Sequence, residues 1–242
     1  ITGFYSGTIR FDNIQLISTK LGNAPSSDIF VAKLSPNGTF LWAKSFGSKA
    51  GFDSGETIVL DASNNIYLAG RFTNKKVTCN NTSVDQWDIY LAKLDNAGNA
   101  LWQKRYASNT PPCNGNSIAN DLHTDGSGNV YMTGKYIGTM SFGNGSTLAI
   151  TSIGGTEDVF TAKINGSGTT QWVRSAGSNA NFHDTGYAIH ADASGNVYVG
   201  GKMESTAFVI KYNSSGSLVW SANPFPSSAE FVVSLVRNIN PY

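Results

Sequence analysis

The chain has 242 residues, 40% of them hydrophobic and 14% charged, with a formal net charge of +1. That length supports one sizeable core, and the charge content is low against the roughly one quarter usual in soluble domains. The 17 Lys and Arg are interspersed with 16 acids, so no basic stripe points to nucleic acid, and no apolar run approaches the roughly 18 residues of a membrane helix. The 26 glycines, and the Asn, Ser and Thr between short apolar runs, predict many short strands joined by tight turns.

In chain order, Ile1-Thr2-Gly3 matches the tail of a second-strand signal that recurs as Asn65 to Gly70, Asn129 to Gly134 and Asn196 to Gly201. An insertion at 11–27 leads to the clearest unit, Ala32-Lys33 with Gly38 and Trp42. It returns at identical spacing as Ala92-Lys93 with Gly98 and Trp102, as Ala162-Lys163 with Gly168 and Trp172, and as Ile210-Lys211 with Gly216 and Trp220. The second repeat displays the whole pattern, with strands expected over 56–60, 65–72, 88–94 and 100–106 and an insertion at 75–86. First-strand signals ending in Asp61, Asp125 and Asp192 open three repeats, and a third insertion spans 140–156. In the fourth repeat Thr206-Ala207-Phe208-Val209 replaces the acidic start of the third strand after a shorter segment, so its outer edge is expected to be thinner. A last apolar run at 231–236 falls where a first strand would come.

Four antiparallel strands per repeat, joined by tight hairpins, define a propeller blade. The fold expected is therefore all-β, a β-propeller of about four four-stranded antiparallel blades forming a single domain over 1–242. Its blades run over approximately 1–52, 53–113, 114–180 and 181–226, and 227–242 supplies the first strand of a further or closing blade. Because residue 1 falls within a second strand and is not Met, the chain is expected to be cut from a longer propeller; the alternative is a ring closed by pairing the terminal strands.

The run from Asp28 to Gly47, and Ser-Gly-Asn-Val-Tyr ending at Tyr131 and again at Tyr198, resemble the SBBP repeat, a bacterial β-propeller repeat. The resemblance covers nearly the whole chain. It implies a large secreted or cell-surface bacterial protein, in some cases resembling cargo of the type IX secretion system, and it carries no catalytic motif. The Gly-x-x-x-Trp spacing also resembles the tryptophan-docking motif of PQQ quinoproteins, but no metal-and-quinone pocket accompanies it. It differs from the sialidase Asp box, where Gly and Trp lie closer together.

Candidate residues divide by whether they repeat. Trp42, Trp102, Trp172 and Trp220 stand at one fixed place in every blade, where an aromatic fills the space between neighbouring blades. Lys33, Lys93, Lys163 and Lys211 also share a position, where a packed stem is expected with its head either in water or paired to Asp28, Asp88 or Asp158. The Asp61, Asp95, Asp125 and Asp192 turns offer one carboxylate each, which is turn chemistry and not a calcium loop. His123 and His190 occupy equivalent first-strand positions, but the preceding repeat has Val59 there, so no metal site is expected. His183 precedes Asp184 without any nucleophile signature. The alignment places Asp53, Ser117 and Asp184 in loops entering the first strands, where a channel mouth would take a small ligand. Trp87 lies outside the repeat, in an insertion, and is a candidate either for an exposed contact or for packing at the rim. Cys79 and Cys113 form one disulfide if the protein is exported and are otherwise two free thiols.

These readings point to a non-enzymatic binding or scaffold propeller that contacts protein or surface glycan, without cofactor or metal, as part of a larger polypeptide or surface assembly. A carbohydrate-binding lectin is the alternative, and a quinoprotein-like or lyase-type enzyme a further one.

Overall fold

The computed structural model describes residues 1–19, 26–48, 51–79, 82–107, 116–143, 149–152, 156–178, 182–204 and 206–225. It is all-β, with no helix among the described residues, and every strand pair is antiparallel. The chain begins with β1 (Thr2–Tyr5), passes through a hairpin of β2 (Thr8–Phe11) and β3 (Ile14–Ile17), and continues with β4 (Asp28–Leu34) and β5 (Phe40–Phe46). Strands β1, β4 and β5 form a three-stranded sheet in that order. The second sheet runs β6 (Ser54–Leu60), β7 (Ile66–Cys79), β8 (Thr82–Leu94) and β9 (Ala100–Tyr106). Next come β10 (Ile118–Thr124) and β11 (Val130–Tyr136), an inserted hairpin of β12 (Thr139–Ser141) and β13 (Ala149–Thr151), then β14 (Asp158–Ile164) and β15 (Thr170–Ala176). Strands β10, β11, β14 and β15 make the third sheet. The fourth joins β16 (Thr185–Ala191), β17 (Val197–Met203), β18 (Thr206–Tyr212) and β19 (Leu218–Phe225).

The strands expected in the second repeat match β6 to β9, with the second starting one residue before β7. Strands β7 and β8 run past their expected ends because the 75–86 insertion prolongs the same ladder, as far as Cys79 opposite Thr82. The other two insertions fold as the separate hairpins β2–β3 and β12–β13. No such hairpin stands between β17 and β18, so the fourth sheet is the thinnest at its outer edge. Among the described residues the first sheet has three strands and no first strand, and the 231–236 run lies outside the described residues.

Local chemistry explains the turns. In the β10–β11 turn the Asp125 carboxylate accepts the backbone N–H groups of Ser127 and Asn129, each at 2.9 Å, and the Asn129 side-chain amide at 2.8 Å. Gly128 closes that turn at φ 78°, a backbone region that side chains disfavour. The first strand of every four-stranded sheet carries a bulge against the second. At the third sheet this bulge presses the Ile118 carbonyl toward Gly134, where an added Cβ would sit 2.0 Å from the oxygen. Only glycine fits there, and the Phe160 ring of the neighbouring strand covers it.

The core lies between sheets. Ile29, Val31, Leu68 and Ala92 pack between the first and second, Tyr67, Leu91, Met132 and Phe160 between the second and third, and Tyr131, Trp172, Ile189 and Val199 between the third and fourth. First strands β6, β10 and β16 lie side by side.

Candidate binding site

Strand register sets one row of side chains across each sheet. In the third sheet His123 faces Tyr131, Tyr131 faces Lys163, and Lys163 faces Trp172. Val59, Tyr67, Lys93 and Trp102 form the same row in the second sheet, and His190, Tyr198, Lys211 and Trp220 in the fourth. The first sheet contributes Lys33 and Trp42.

Each row meets the hairpin turns of the next sheet. The Trp42 indole donates to the Asn96 carbonyl at 3.2 Å, Trp102 to that of Gly166 at 3.1 Å, and Trp172 to that of Ser214 at 3.1 Å. Each ring lies over the turn glycine, so that a Cβ on Gly98, Gly168 or Gly216 would come within 2.9, 3.1 and 2.6 Å of it. The Tyr67 hydroxyl donates to the Gly128 carbonyl at 3.2 Å, a further strut from the second sheet to the third. Three of the repeated tryptophans thus join sheet to sheet, while Trp220 is 42% exposed.

Each repeated lysine of the first three sheets lies five residues after Asp28, Asp88 or Asp158 on the same strand, an odd spacing that puts the two on opposite faces. The lysines' strand register places them beside tyrosines instead. The ammonium groups of Lys93, Lys163 and Lys211 stand 4.9, 5.2 and 5.1 Å from the ring centroids of Tyr67, Tyr131 and Tyr198. Lys93 also reaches Asp61 at 3.4 Å, and Asp88 takes Arg105 at 2.9 Å. Burial opposes the Lys93 charge, but the Tyr67 hydroxyl and the Asp61 carboxylate outweigh it and raise its pKa.

Asp53, Ser117 and Asp184 are fully buried, and their side chains are spent on backbone. Asp53 accepts the Ser48 N–H at 2.6 Å and the Thr73 N–H at 2.7 Å. Asp184 accepts the Ser178 N–H at 2.6 Å and the Glu204 N–H at 3.0 Å, and Ser117 accepts that of Ile137 at 3.3 Å. Asp53 ties the entry to the first strand to Thr73 within β7, and Ser117 and Asp184 tie theirs to the residues that follow β11 and β17, so all three side chains serve backbone amides from buried positions. Burial raises the Asp53 pKa above the usual carboxylate range, and the two amides only partly offset it. His183 turns to Glu157, 3.3 Å away, and not to Asp184. Trp87 is half-buried, with the Arg71 guanidinium carbon 3.8 Å from its ring centroid. Cys79 ends β7, and its pairing with Cys113 lies outside the described residues.

A cavity of about 560 Å³ opens where the row of the third sheet meets the fourth. Its lining includes His123, Tyr131, Lys163, His190, Asp192 and Ser214. The two imidazoles meet edge to face with ring centroids 4.3 Å apart. The Tyr131 hydroxyl donates to Asp125 at 2.9 Å, and burial together with that carboxylate raises the tyrosine pKa. Imidazole, ammonium, hydroxyl and turn amides here offer donors and acceptors of both signs over an aromatic face, a lining suited to a small polyhydroxylated ligand. No group of three or more His, Cys, Asp or Glu able to hold a metal occurs among the described residues.

Asp121, which its sequence context does not single out, ties three first strands together. It accepts the Ile189 N–H of β16 at 2.9 Å and the Thr57 hydroxyl of β6 at 3.4 Å from its place on β10. Burial raises its pKa, opposed by the Ile189 and Leu122 amides. The tyrosines of the row did leave a signal, since Asn-x-Tyr recurs in each second-strand unit.

No protein-family model matches this chain, and no curated protein shows significant similarity to it. No helix among the described residues is long and apolar enough to cross a membrane.

Proposed function

We propose that the four sheets are blades of a β-propeller of the SBBP type, and that the chain is a non-enzymatic binding or scaffold module of a secreted or cell-surface bacterial protein. One observation carries this reading: three of the four repeated tryptophans join sheet to sheet, whereas the rim differs from sheet to sheet. The first and third sheets bear separate hairpins, the second a prolonged β7–β8 ladder, and the fourth neither. Contacts with protein or surface glycan then fall to these rim elements and to Trp87, as binding loops do on rigid scaffolds. Asp53, Ser117 and Asp184 support the non-enzymatic reading, because their polar groups already serve the backbone.

A variant with β7 and β8 shortened to the length of β17 and β18 tests this directly. It is expected to keep the β-rich circular dichroism of the parent and to lose binding on a panel of bacterial surface polysaccharides and surface proteins. Unchanged binding after trimming each of the three rim elements would overturn the reading.

The lectin alternative draws on the cavity at His123 and His190. It predicts that glycan-array signals survive rim trimming and disappear in Lys163→Ala.

A further inference from the structure

Three joints between sheets share one build and differ in what holds their lysine. Between the first and second sheets the Lys33 ammonium donates to the Asn96 side chain in the next sheet's turn. Between the second and third, Lys93 donates to the Gly166 carbonyl at 3.3 Å and pairs with Asp61 at 3.4 Å, while the Tyr67 hydroxyl donates to the Gly128 carbonyl. Lysine and tyrosine both close that joint. Between the third and fourth sheets the same two positions are used otherwise. Tyr131 turns back to Asp125 of its own sheet at 2.9 Å. Asp125 stands where Asp61 does, and four donors fill its two oxygens: the N–H groups of Ser127 and Asn129, the Asn129 amide and the Tyr131 hydroxyl. Lys163 is left with neither that carboxylate nor a carbonyl of the next sheet. Among the described residues its one partner is the Tyr131 ring, with the ammonium 5.2 Å from the centroid. It is half-buried and lines the cavity of about 560 Å³. The first place in the row changes too. His123 stands where the second sheet has Val59, and it meets His190 with ring centroids 4.3 Å apart, so the cavity wall is imidazole and not aliphatic.

We infer that this cavity binds a carboxylate-bearing saccharide, a uronic acid or a related sugar acid, with its carboxylate on the Lys163 ammonium. The sign of the ligand's charge follows from which groups are still open to it. Asp192 is filled as Asp125 is, by the N–H groups of Ser194 and Asn196, the Asn196 amide and the Tyr198 hydroxyl, so neither carboxylate has an acceptor left for a cationic ligand. The Lys163 ammonium keeps its donors, and a charge-assisted hydrogen bond to a carboxylate is the strong way to use them. One lysine matches one negative charge, which favours a carboxylate over a doubly charged phosphate. The remainder of the ligand follows from the walls. Imidazole nitrogens and the hydroxyls of Ser127 and Ser194 both give and take hydrogen bonds, as ring hydroxyls require, and the volume falls within the roughly 300–1,000 Å³ of small-molecule sites. The inference rests on the lectin alternative, whose ligand class it names, and stands apart from the rim.

Titration calorimetry of the full chain with the methyl glycosides of glucuronic and galacturonic acid, and with those of glucose and galactose, tests the inference. At least one acid is expected to bind about tenfold or more tightly than its neutral counterpart, and to weaken as salt is raised. Lys163→Met keeps the stem without the charge and is expected to bring the acid down to the affinity of the neutral glycoside. Lys163→Arg is expected to keep most of the preference. Equal affinity for acid and neutral glycoside in the wild type would overturn the inference and leave the lectin alternative standing. An acid preference that survives Lys163→Met would place the anion elsewhere and overturn it too, as would acetate binding as tightly as the acid glycoside. Failure of both acids to bind also overturns it, and the lectin alternative falls with it only if the glycan array is blank as well. Circular dichroism of each variant confirms that lost binding is not lost folding.

Discussion

Asp125 and Asn165 occupy equivalent places in their turns, and their partners differ to match. Asp61, Asp95, Asp125 and Asp192 face Asn65, Asn99, Asn129 and Asn196, whose side-chain amides donate to the second carboxylate oxygen. Asn165 and Asn213 accept the same backbone amides but face Thr169 and Ser217. A carboxylate needs a donor opposite, and an amide does not tolerate a second amide nitrogen there. Asp125→Asn is therefore expected to cost about 1 kcal/mol, with Asn129→Thr added to it restoring most of the loss. The acid limb should change as well. Burial works against the Asp125 charge, but the Asn129 amides, the Tyr131 hydroxyl and the Ser127 N–H overcome it and hold the pKa below its ordinary value. A lowered folded pKa means stability that is full above the unfolded pKa of about 3.9 and is lost as the pH falls through the folded one. Urea unfolding from pH 7 downward should show a shallower acid limb for the double variant, and a limb as steep as wild type would refute the assignment.

Strands and turns are the scale at which the sequence is most legible. The identical spacing of Lys, Gly and Trp locates the third and fourth strands of every sheet, because a four-residue turn with an Asx or Ser acceptor and a closing glycine admits little variation. The third-strand bulge beside each Lys is invisible at that level, since it shows only in the pairing of Lys93 with Trp102 and of Leu94 with Ala100. The roles of Asp53, Ser117 and Asp184 were equally hidden. Their partners include Thr73, Ile137 and Glu204, about 20 residues away, and one side chain can serve either a ligand or a backbone amide. Glycines of the turns separate two physical demands. Gly128 has positive φ and open space for a Cβ, whereas Gly168 has positive φ and the Trp102 ring at 3.1 Å. Gly128→Ala should cost the backbone strain alone, about 1 kcal/mol. Gly168→Ala should cost about 1 kcal/mol more, because the joint must open. Equal losses in thermal unfolding would show that the ring does not rest on Gly168.

At the scale of the molecule, sheets whose described joints run from each to the next draw much of their stability from those interfaces. The repeated Trp was legible as packing, but its partner was not, since the accepting carbonyl lies in a different repeat. The function proposed for the rim depends on this division between joints that repeat and edges that vary. Equilibrium unfolding of Trp102→Ala, Trp172→Ala and Trp220→Ala tests it most directly. Trp102→Ala and Trp172→Ala should each lose about 3–5 kcal/mol, and Trp220→Ala less than about 1 kcal/mol. Equal losses at all three positions, or no loss at Trp102 and Trp172, would contradict the account.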